Sequence, residues 1–446
     1  MTTRVSAVQH KVTSEPWLRH VPEHWRIGRI KDSVASAING TWGQEPDGEH
    51  DVRCVRVADF DRERRRIHDK DATLRAVSRD EFNRLAITNG DLLLEKSGGG
   101  EKSPVGFVVL YDRHEQAICS NFIARIRLRE DMDPRFWTYL HGAYYNLRLT
   151  ARSIKQSTGI QNLDQTSYFN EVAAFPPYEE QVDIANFLDR ETGEIDEFIR
   201  DQEELIQLLN EYRAATISQA VTKGLDPEVP MKSSGNQWID EVPASWTVNR
   251  FSRCVRVVSG QVDPRSERFI DMVLIAPNHV EAGTGRLLEM ETAREQGADS
   301  GKYLVAKGQV VYSKIRPALS KVIIAPVACL CSADMYALDG ATRDLTNEFI
   351  HWYLLGRPFT NYAIDQSARV AMPKLNQDTL GAAPICYPSL EEQKRICAFL
   401  EQETGEIDSA IRDANKAIGL LIERRASLIS AAVTGKIDVR ERVRGA

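Results

Sequence analysis

The sequence has few cysteines, and none of them has a spacing that binds metal. The seven cysteines include no C-x-x-C pair, and an odd number without metal-ligand spacing predicts reduced thiols in a reducing compartment. They are Cys54, Cys119, Cys254, Cys329, Cys331, Cys386 and Cys397. Disulfide bonds and a zinc site are therefore not expected.

The sequence also lacks an apolar run long enough to cross a membrane, and we find no signal peptide in it. Its 42% hydrophobic and 27% charged residues are typical of a globular protein. Because 446 residues exceed the usual size of one hydrophobic core, we expect more than one domain. These features together predict a cytoplasmic, multidomain protein.

An overall excess of basic residues is absent, since the net charge is -7. The acidic residues are concentrated in residues 179–226, which hold 13 acidic and 4 basic residues. The remainder of the chain therefore has a net charge of +2. Arg56–Lys70 is conversely a basic run. Local patches rather than total charge govern contact with phosphates, so nucleic-acid binding is not excluded. A solvated strand or loop is an equal alternative for these arginines.

No catalytic motif is complete. Residues 175–181 read F-P-P-Y-E-E-Q, close to the N/D/S-P-P-Y/F loop with which amino-methyltransferases hold an amino group. Phe175 replaces the polar first residue of that loop, and no glycine-rich AdoMet loop accompanies it. Prolines at the start of a helix are the favoured interpretation. A stand-alone adenine methyltransferase that uses this P-P-Y stretch stays as an alternative.

The glycine-rich segment 95–106 does not supply a phosphate site either, because it lacks G-x-x-x-x-G-K-S/T. It follows an apolar run, which predicts a strand that ends in a loop. Asp91 and Glu95 do not suggest a metal-dependent nuclease, since the second half of the chain has Gln309 and Ser313 at these positions.

A long internal repeat is the most informative feature that is present. The letters E-T-G-E-I-D at Glu191–Asp196 return at Glu403–Asp408, 212 positions later. When residues 179–226 are aligned with 391–438, about 27 of about 48 positions are identical, which identifies a duplicated unit. The V-P-x-x-W segment at Val21–Trp25 also returns at 242–246, so each half is a globular part followed by a helical part.

The repeat predicts helices. We expect a short helix at Glu179–Thr192, a stop at Gly193, and then a helix of about 30 residues, about 45 Å long, with the same break at Gly405 in the second copy. Apolar residues recur at threes and fours from Ile195, so the long helix has one apolar stripe that needs a partner. The other copy is the simplest partner, which predicts an antiparallel coiled coil with approximate two-fold symmetry. A coiled-coil scaffold without DNA is an alternative.

In this doubled arrangement the chain resembles the specificity subunits of type I restriction-modification systems. The resemblance runs from about Trp17 to Asp438 and is carried by the P-x-x-E-E-Q helix starts, E-T-G-E-I-D and V-P-x-x-W. It is also carried by S-T-G-I-Q-N-L-D-Q at Ser157–Gln165, which pairs with M-P-K-L-N-Q-D at Met372–Asp378.

The resemblance implies a fold and a function. It implies tandem α/β (mixed α+β) target recognition domains, each of which reads one half of an asymmetric, bipartite sequence in double-stranded DNA, joined by helical regions that act as spacer and docking surface. The implied boundaries are 1–175 for the first recognition domain, 176–226 for the first helical region, 227–387 for the second domain, 388–438 for the second helical region and 439–446 for a tail.

The same resemblance implies partners and cofactors. Two modification subunits would carry AdoMet and methylate adenine, and restriction subunits would use ATP and Mg for translocation and cleavage. The chain itself is implied to be non-catalytic, to bind no cofactor or metal, and to work in the cytoplasm of a bacterium or archaeon.

Two sets of site residues follow from the same resemblance. The expected DNA-binding residues are Lys96, Ser97, Lys155, Gln156, Ser157, Thr158 and Gln161 in the first half, and Lys314, Arg316, Arg369 and Lys374 in the second. The expected subunit-docking residues are Glu180, Gln181, Phe187, Glu194, Asp196, Glu392, Gln393, Phe399, Glu406 and Asp408.

Overall fold

The chain folds into two compact units, each of mixed α/β structure. The computed structural model describes residues 9–68, 72–157, 159–367 and 373–439. The first unit comprises residues 1–201 and 417–446, and the second unit comprises residues 202–416. Each unit takes a globular domain and one end of each of two long helices, Tyr178–Lys223 and Leu390–Val433. The mixed α/β class expected from the sequence is confirmed.

The globular domain of the first unit is built on a four-stranded antiparallel sheet in the order 108–110, 92–95, 123–128, 34–39. The strands of this domain are His10–Val12, His20–Pro22, Arg26–Arg29, Val34–Asn39, Asp51–Val55, Phe60–Asp61, Arg66–Ile67, Leu74–Ala76, Leu92–Glu95, Ser97–Gly98, Val108–Leu110, Ile118–Cys119, Ile123–Leu128, Ile154–Ser157, Ile160–Leu163 and Val172–Phe175. The helices are Arg79–Leu85, Pro134–Asn146 and Gln165–Phe169, with 3-10 turns at Pro16–Leu18, Ile30–Ser33, Val57–Asp59 and Leu149–Ser153.

The second unit repeats this plan with the sheet order 322–324, 310–313, 335–340, 255–257. Its strands are Met231–Ser233, Glu241–Pro243, Thr247–Arg250, Val255–Val257, Gln261–Val262, Leu274–Ile275, Lys302–Val305, Val310–Ser313, Val322–Ile324, Cys329–Cys331, Met335–Gly340 and Pro384–Tyr387. Its helices are Phe251–Cys254, Asn347–Leu355, Arg357–Ser367 and Gln377–Ala382, with 3-10 turns at Pro277–His279 and Pro317–Leu319.

A parallel strand pair joins a second small sheet in each domain and strengthens the correspondence. Ile118–Cys119 pairs in parallel with Asp51–Val55, and Cys329–Cys331 pairs in parallel with Leu274–Ile275. Parallel pairing of short strands is the less common geometry, so its presence in both domains supports a shared topology rather than two unrelated sheets.

The long helices contribute to the hydrophobic core of each unit. In the first unit, Ile184, Phe187 and Leu188 of the first long helix and Ile429 and Val433 of the second belong to the same buried cluster as the sheet. In the second unit, the corresponding cluster includes Ile217 and Val221 of the first long helix and Ile396 and Leu400 of the second. None of the helices in the described ranges is both long and apolar enough to span a membrane.

The predicted breaks at Gly193 and Gly405 are wrong. Each repeat forms one uninterrupted helix, of 46 residues in the first copy and 44 in the second, which runs through its glycine. Thr192 and Ile195, on either side of Gly193, are buried, so tertiary packing holds this turn in the helix despite the unfavourable glycine. A Cβ atom at either glycine would meet no atom within 4 Å.

The substitution Gly193→Ala should therefore stabilise the protein. Alanine lowers the conformational entropy of the unfolded chain and fits the helix without a clash, so we expect the free energy of unfolding to rise by about 0.5–1 kcal/mol. Gly435→Ala is the matched control in the same unit: Gly435 has φ +70° and a Cβ there would lie 2.2 Å from Pro22 Cδ, so it should destabilise. Chemical denaturation measures both, and an unchanged midpoint for Gly193→Ala would contradict the explanation.

Candidate nucleic-acid interface

A lysine follows the central strand of each domain and is held in the same way in both. The Lys96 amide donates to the Phe122 carbonyl (2.9 Å), and its carbonyl accepts from the Leu163 amide (2.8 Å). In the second unit the Lys314 amide donates to the Asp334 carbonyl (3.0 Å), and its carbonyl accepts from the Leu375 amide (2.8 Å). The two lysines are therefore structural equivalents at the end of equivalent strands.

Lys155, Gln156 and Gln161 of the first unit lie on a hairpin beside Lys96, formed by Ile154–Ser157 and Ile160–Leu163. Lys155 is exposed and its ammonium lies 2.6 Å from Asp164, and this contact is the main reason why the pKa of the Asp164 carboxyl is lowered. Gln156 is exposed as well. The hairpin thus presents the Lys155 ammonium and the Gln156 amide to solvent.

Two of the predicted polar residues of the first unit hold the loop rather than face solvent freely. Gln161 is buried, and its Oε1 accepts a hydrogen bond from the Val105 amide (3.3 Å). The Ser97 hydroxyl donates to Asn162 Oδ1. Both side chains fasten the glycine-rich segment 98–104 to the hairpin, so Gln161 in particular supports the surface from inside.

In the second unit, Lys314, Lys374 and Arg316 are brought together. Ile315 forms an isolated β-bridge with Lys374, and the Arg316 amide donates to the Pro373 carbonyl (3.0 Å). The Lys314 ammonium lies 5.1 Å from the ring centroid of Tyr336, a cation–π contact. Its pKa is lowered by partial burial and by the neighbouring charge of Lys374. Three cations therefore line one strand end.

The structure says little about the three remaining DNA-binding candidates. Thr158 and Arg369 lie outside the described residues, and for Ser157 only its place in the strand Ile154–Ser157 is described. These three predictions stay as predictions.

Several arginines of the basic run in residues 56–70 form contacts within their own domain. Arg62 pairs with the buried carboxylate of Glu95 (2.8 Å), whose pKa is raised by burial against the opposing effect of this guanidinium. Arg65 is buried, which lowers its pKa to about 10, and Arg66 pairs with Asp112 (3.3 Å). Among the arginines of this run only Arg65 is buried, whereas Arg62 and Arg66 stay partly exposed and Arg64 is exposed. Contact of the run with a nucleic acid and a solvated loop therefore both stay open.

Exposed aromatic residues near this interface were not singled out from the sequence. Trp42 and Phe122 of the first unit are 38% and 45% exposed. Nothing in the sequence around them distinguishes them from core aromatics, because exposure of a single ring is decided by the loop that carries it.

Two of the expected docking residues, Gln181 and Gln393, are buried inside their own units. Gln181 is 1% exposed: its Oε1 accepts from the Asp133 amide (3.0 Å), and its Nε2 donates to the Pro176 (3.0 Å) and Asp131 (3.3 Å) carbonyls. Gln393 is 0% exposed and repeats this pattern with the Thr346 amide and the Asp344 and Pro388 carbonyls. Both amides fasten a helix start to its globular domain, so they offer no free polar group to a partner.

Two further expected docking residues, Asp196 and Asp408, form ion pairs between the long helices. In the first unit, Asp196 accepts two hydrogen bonds from Arg425 (2.8 and 3.2 Å), and Arg425 also donates to the Glu63 carbonyl (3.0 Å). In the second unit, Asp408 pairs with Arg213 and with Arg286 (3.2 Å). Asp196 and Asp408 are equivalent in the repeat, and so are Arg425 and Arg213. Each long helix therefore contributes one acidic and one basic residue to these ion pairs.

The other expected docking residues differ in accessibility. Glu194 and Glu406 are exposed, Phe399 is half-buried and Phe187 is buried in the first core. Glu180 lies 2.8 Å from His24, and Glu392 accepts a hydrogen bond from the Trp246 indole (3.2 Å), so both acids hold the V-P-x-x-W segment of their unit. Glu194 and Glu406 are thus the acids of this set that remain on the surface.

The P-P-Y stretch does not form a base-binding loop. Phe175 ends a strand with its ring buried, and Tyr178 begins the first long helix. The Pro177 carbonyl accepts the Gln181 amide of the first helical turn. The prolines therefore lead into a helix, which confirms the interpretation that the sequence favoured. Within the part of the chain that the structure describes, no group of three or more His, Cys, Asp or Glu side chains could hold a metal ion.

Comparison with known proteins bears on this geometry. Residues 274–414 match a family model described as "Type I restriction modification DNA specificity domain". Over these residues the chain is similar to a type I specificity domain. The resemblance expected from the repeat is thereby confirmed, although the model covers only part of the second half of the chain.

Individual proteins of this kind are similar over larger parts of the chain. The type I restriction enzyme EcoDI specificity subunit of Escherichia coli is 28% identical over 284 residues, which cover 60% of this chain and 63% of that protein. A chain of a solved structure described as "Structural basis underlying complex assembly and conformational transition of the type I R-M system" has a TM-score of 0.70 at 16% identity and covers 94% of this chain and 99% of its own.

A crystal structure of the HsdS subunit from Thermoanaerobacter tengcongensis has a TM-score of 0.51 at 17% identity and covers 94% of this chain and 98% of its own. At such low identity, these structures establish a shared fold.

The buried glutamine Gln181 provides a test of the role of the helix starts. Gln181→Leu keeps the volume but orphans the Asp133 amide and two carbonyls, so we expect the free energy of unfolding to fall by about 2–4 kcal/mol. Glu194→Leu, at an exposed position of the same helix, is the matched control and should change it by less than about 0.5 kcal/mol. Urea denaturation distinguishes them; equal stabilities would refute the structural role of the glutamine.

Proposed function

We propose that this chain is the DNA sequence-specificity subunit of a type I restriction-modification complex. It would recognise a bipartite, asymmetric sequence, with each globular domain acting as a target recognition domain for one half. The observation that supports this most is the equivalence of Lys96 and Lys314: two domains of the same topology present a lysine at the same place and surround it with different side chains. One scaffold with two different surfaces suits two different half-sites.

The chemistry of these surfaces fits DNA. Lysine and arginine at a strand end neutralise phosphates, while amides such as Gln156 and neighbouring loops are suited to base edges. Partial burial of Lys314 leaves its charge less hydrated, which strengthens its interaction with a phosphate when water is excluded. The exposed candidates Lys155, Arg316 and Lys374 would then contribute mainly to the backbone contact.

The catalytic work would belong to partner subunits. Two modification subunits would carry AdoMet and methylate adenine, and restriction subunits would use ATP and Mg. On this chain, the exposed acids Glu194 and Glu406, at equivalent places of the two long helices, are the candidates for docking these partners. The chain itself would be non-catalytic, in agreement with the helical setting of the P-P-Y stretch.

The long helices would act as the spacer between the two recognition domains, as one antiparallel coiled coil. Each is continuous over more than 40 residues. The ion pairs of the two units fit one antiparallel register, because 17 residues forward from Asp196 to Arg213 on the first helix correspond to 17 residues back from Arg425 to Asp408 on the second. This supports a ruler that sets the distance between half-sites.

A methylation map tests the proposed function directly. Sequencing of methylated adenine in the source genome, with and without this gene, should show the loss of one split motif that is methylated on both strands. Lys314→Gln should weaken binding of that motif by the complex with its modification subunits and lower the salt dependence of binding by about one charge. Lys307→Gln is the matched control, since Lys307 is exposed at the opposite end of the same strand. A complex that binds no duplex would overturn the proposal.

The ruler is tested by lengthening both helices together. Four helical residues inserted between Gln207 and Leu208, with four more between Asp413 and Ala414, which lie opposite in the proposed register, lengthen the spacer by about 6 Å. We expect the gap between half-sites in the methylation motif to grow by about two base pairs while each half-site stays the same. An insertion in only one helix is the control and should reduce stability. An unchanged gap in an active complex would contradict the ruler.

A further inference from the structure

A tight loop of the first unit holds Trp42 with part of its indole ring exposed to solvent. One face of the Trp42 ring is covered by the guanidinium of Arg75, 4.3 Å from the ring centroid, and Arg75 is in turn paired with Glu45. The indole remains 38% exposed. The arginine fixes the ring from one side, so the open part of the indole is presented to solvent in a defined orientation.

The backbone of this loop is tightly seated. A Cβ atom at Gly40 would lie 1.9 Å from the Cys119 carbonyl oxygen, and the Thr41 amide donates to the same oxygen (2.9 Å). Gly43 adopts φ +68°, and Gln44 exchanges two hydrogen bonds with Ala76 (2.8 and 3.1 Å). These contacts on both sides of Trp42 mean that its exposure is a property of the fold.

Hydrogen bonds connect this loop to the candidate interface. The Gly40 amide donates to the Ile123 carbonyl (3.0 Å), directly after Phe122, whose own carbonyl accepts from the amides of Lys96 (2.9 Å) and Ser97 (3.3 Å). Phe122 is 45% exposed. Trp42 and Phe122 therefore lie at the same end of the first unit as Lys96.

The equivalent positions of the second unit carry different side chains. Lys96 corresponds to Lys314, and the carbonyl that accepts its amide belongs to Phe122 in one unit and to the exposed Asp334 in the other. Ala37 pairs with Ile126 as Val257 pairs with Leu338, so Trp42, five residues after Ala37, corresponds by residue count to Val262, which lies in a short strand paired with Lys302. The lysine is retained, whereas a carboxylate stands at the place of Phe122 and a smaller aliphatic side chain stands where the residue count places Trp42.

We infer that Trp42 and Phe122 contact bases of the half-site that the first unit reads and distinguish it from the half-site of the second unit. This inference rests on the proposed function and deepens it. An aromatic ring offers an apolar surface that packs against the C5-methyl group of thymine in the major groove, while the nearby lysine holds the phosphate backbone. Val262 and Asp334 cannot form the same contact, so the second unit would read other bases.

The test exchanges these side chains for those of the other unit. In the complex reconstituted with modification subunits, Trp42→Val and Phe122→Asp should each reduce, on the order of tenfold, the discrimination between a duplex with the mapped split motif and duplexes mutated in one half-site. Discrimination at the other half-site should not change. Trp42→Phe should restore most of the discrimination because it keeps an aromatic ring. Replacing thymine by deoxyuracil in the affected half-site should weaken the wild type and leave Trp42→Val nearly unaffected.

The outcomes separate the two levels of inference. If the wild-type complex binds no duplex, the proposed function fails. If it discriminates both half-sites but Trp42→Val does so equally well, or loses both half-sites to the same extent, the inference about the aromatic residues is overturned. Loss that Trp42→Phe does not restore, together with a lowered melting temperature, would also overturn it, because it would assign Trp42 a structural role.

Discussion

Burial of the ends of the two long helices is the constraint on which the rest of the structure depends. An isolated helix with one apolar stripe is unstable in water, and here the stripe enters a globular core in each unit, through Phe187 and Val433 in the first and Val221 and Leu400 in the second. The buried amides of Gln181 and Gln393 then connect each helix start to its domain with directional hydrogen bonds. Apolar burial supplies the stability, and the amides determine where each helix begins.

The same constraint explains why the helices diverged less than the globular parts. A helical residue such as Asp196 or Arg213 contacts its partner helix, and its equivalent in the other copy makes the reciprocal contact, so one change disturbs a matched pair. Residues at the strand ends, such as Phe122 and Asp334, need only keep the backbone hydrogen bond that holds the lysine. Their side chains are free to differ, which allows two different surfaces on one scaffold.

The basic residues also divide into those that contact the interior of a domain and those that lie on its surface. Two arginines of the basic run contact the interior of the first unit: Arg62 offsets the buried carboxylate of Glu95, and the buried Arg65 packs against Phe107. A cation that is paired or buried in this way contributes to the packing of its own domain. Exposed cations at the strand ends and on the hairpin, such as Lys155, Arg316 and Lys374, are among those available to a polyanion, and total charge does not reveal them.

The sequence by itself determined the duplication and the two long helices, because these depend on periodic apolar spacing and on identity between two copies. The mixed α/β class was implied by the family resemblance that the repeat carries. It did not determine that the helices continue through Gly193 and Gly405, since the local preference of glycine was outweighed by buried neighbours such as Ile195. Only the tertiary structure decided which side chains are accessible: Gln161 and Gln181 are buried, whereas Trp42 is partly exposed. Accessibility depends on contacts between residues far apart in the chain, and composition and periodicity carry no information about those contacts.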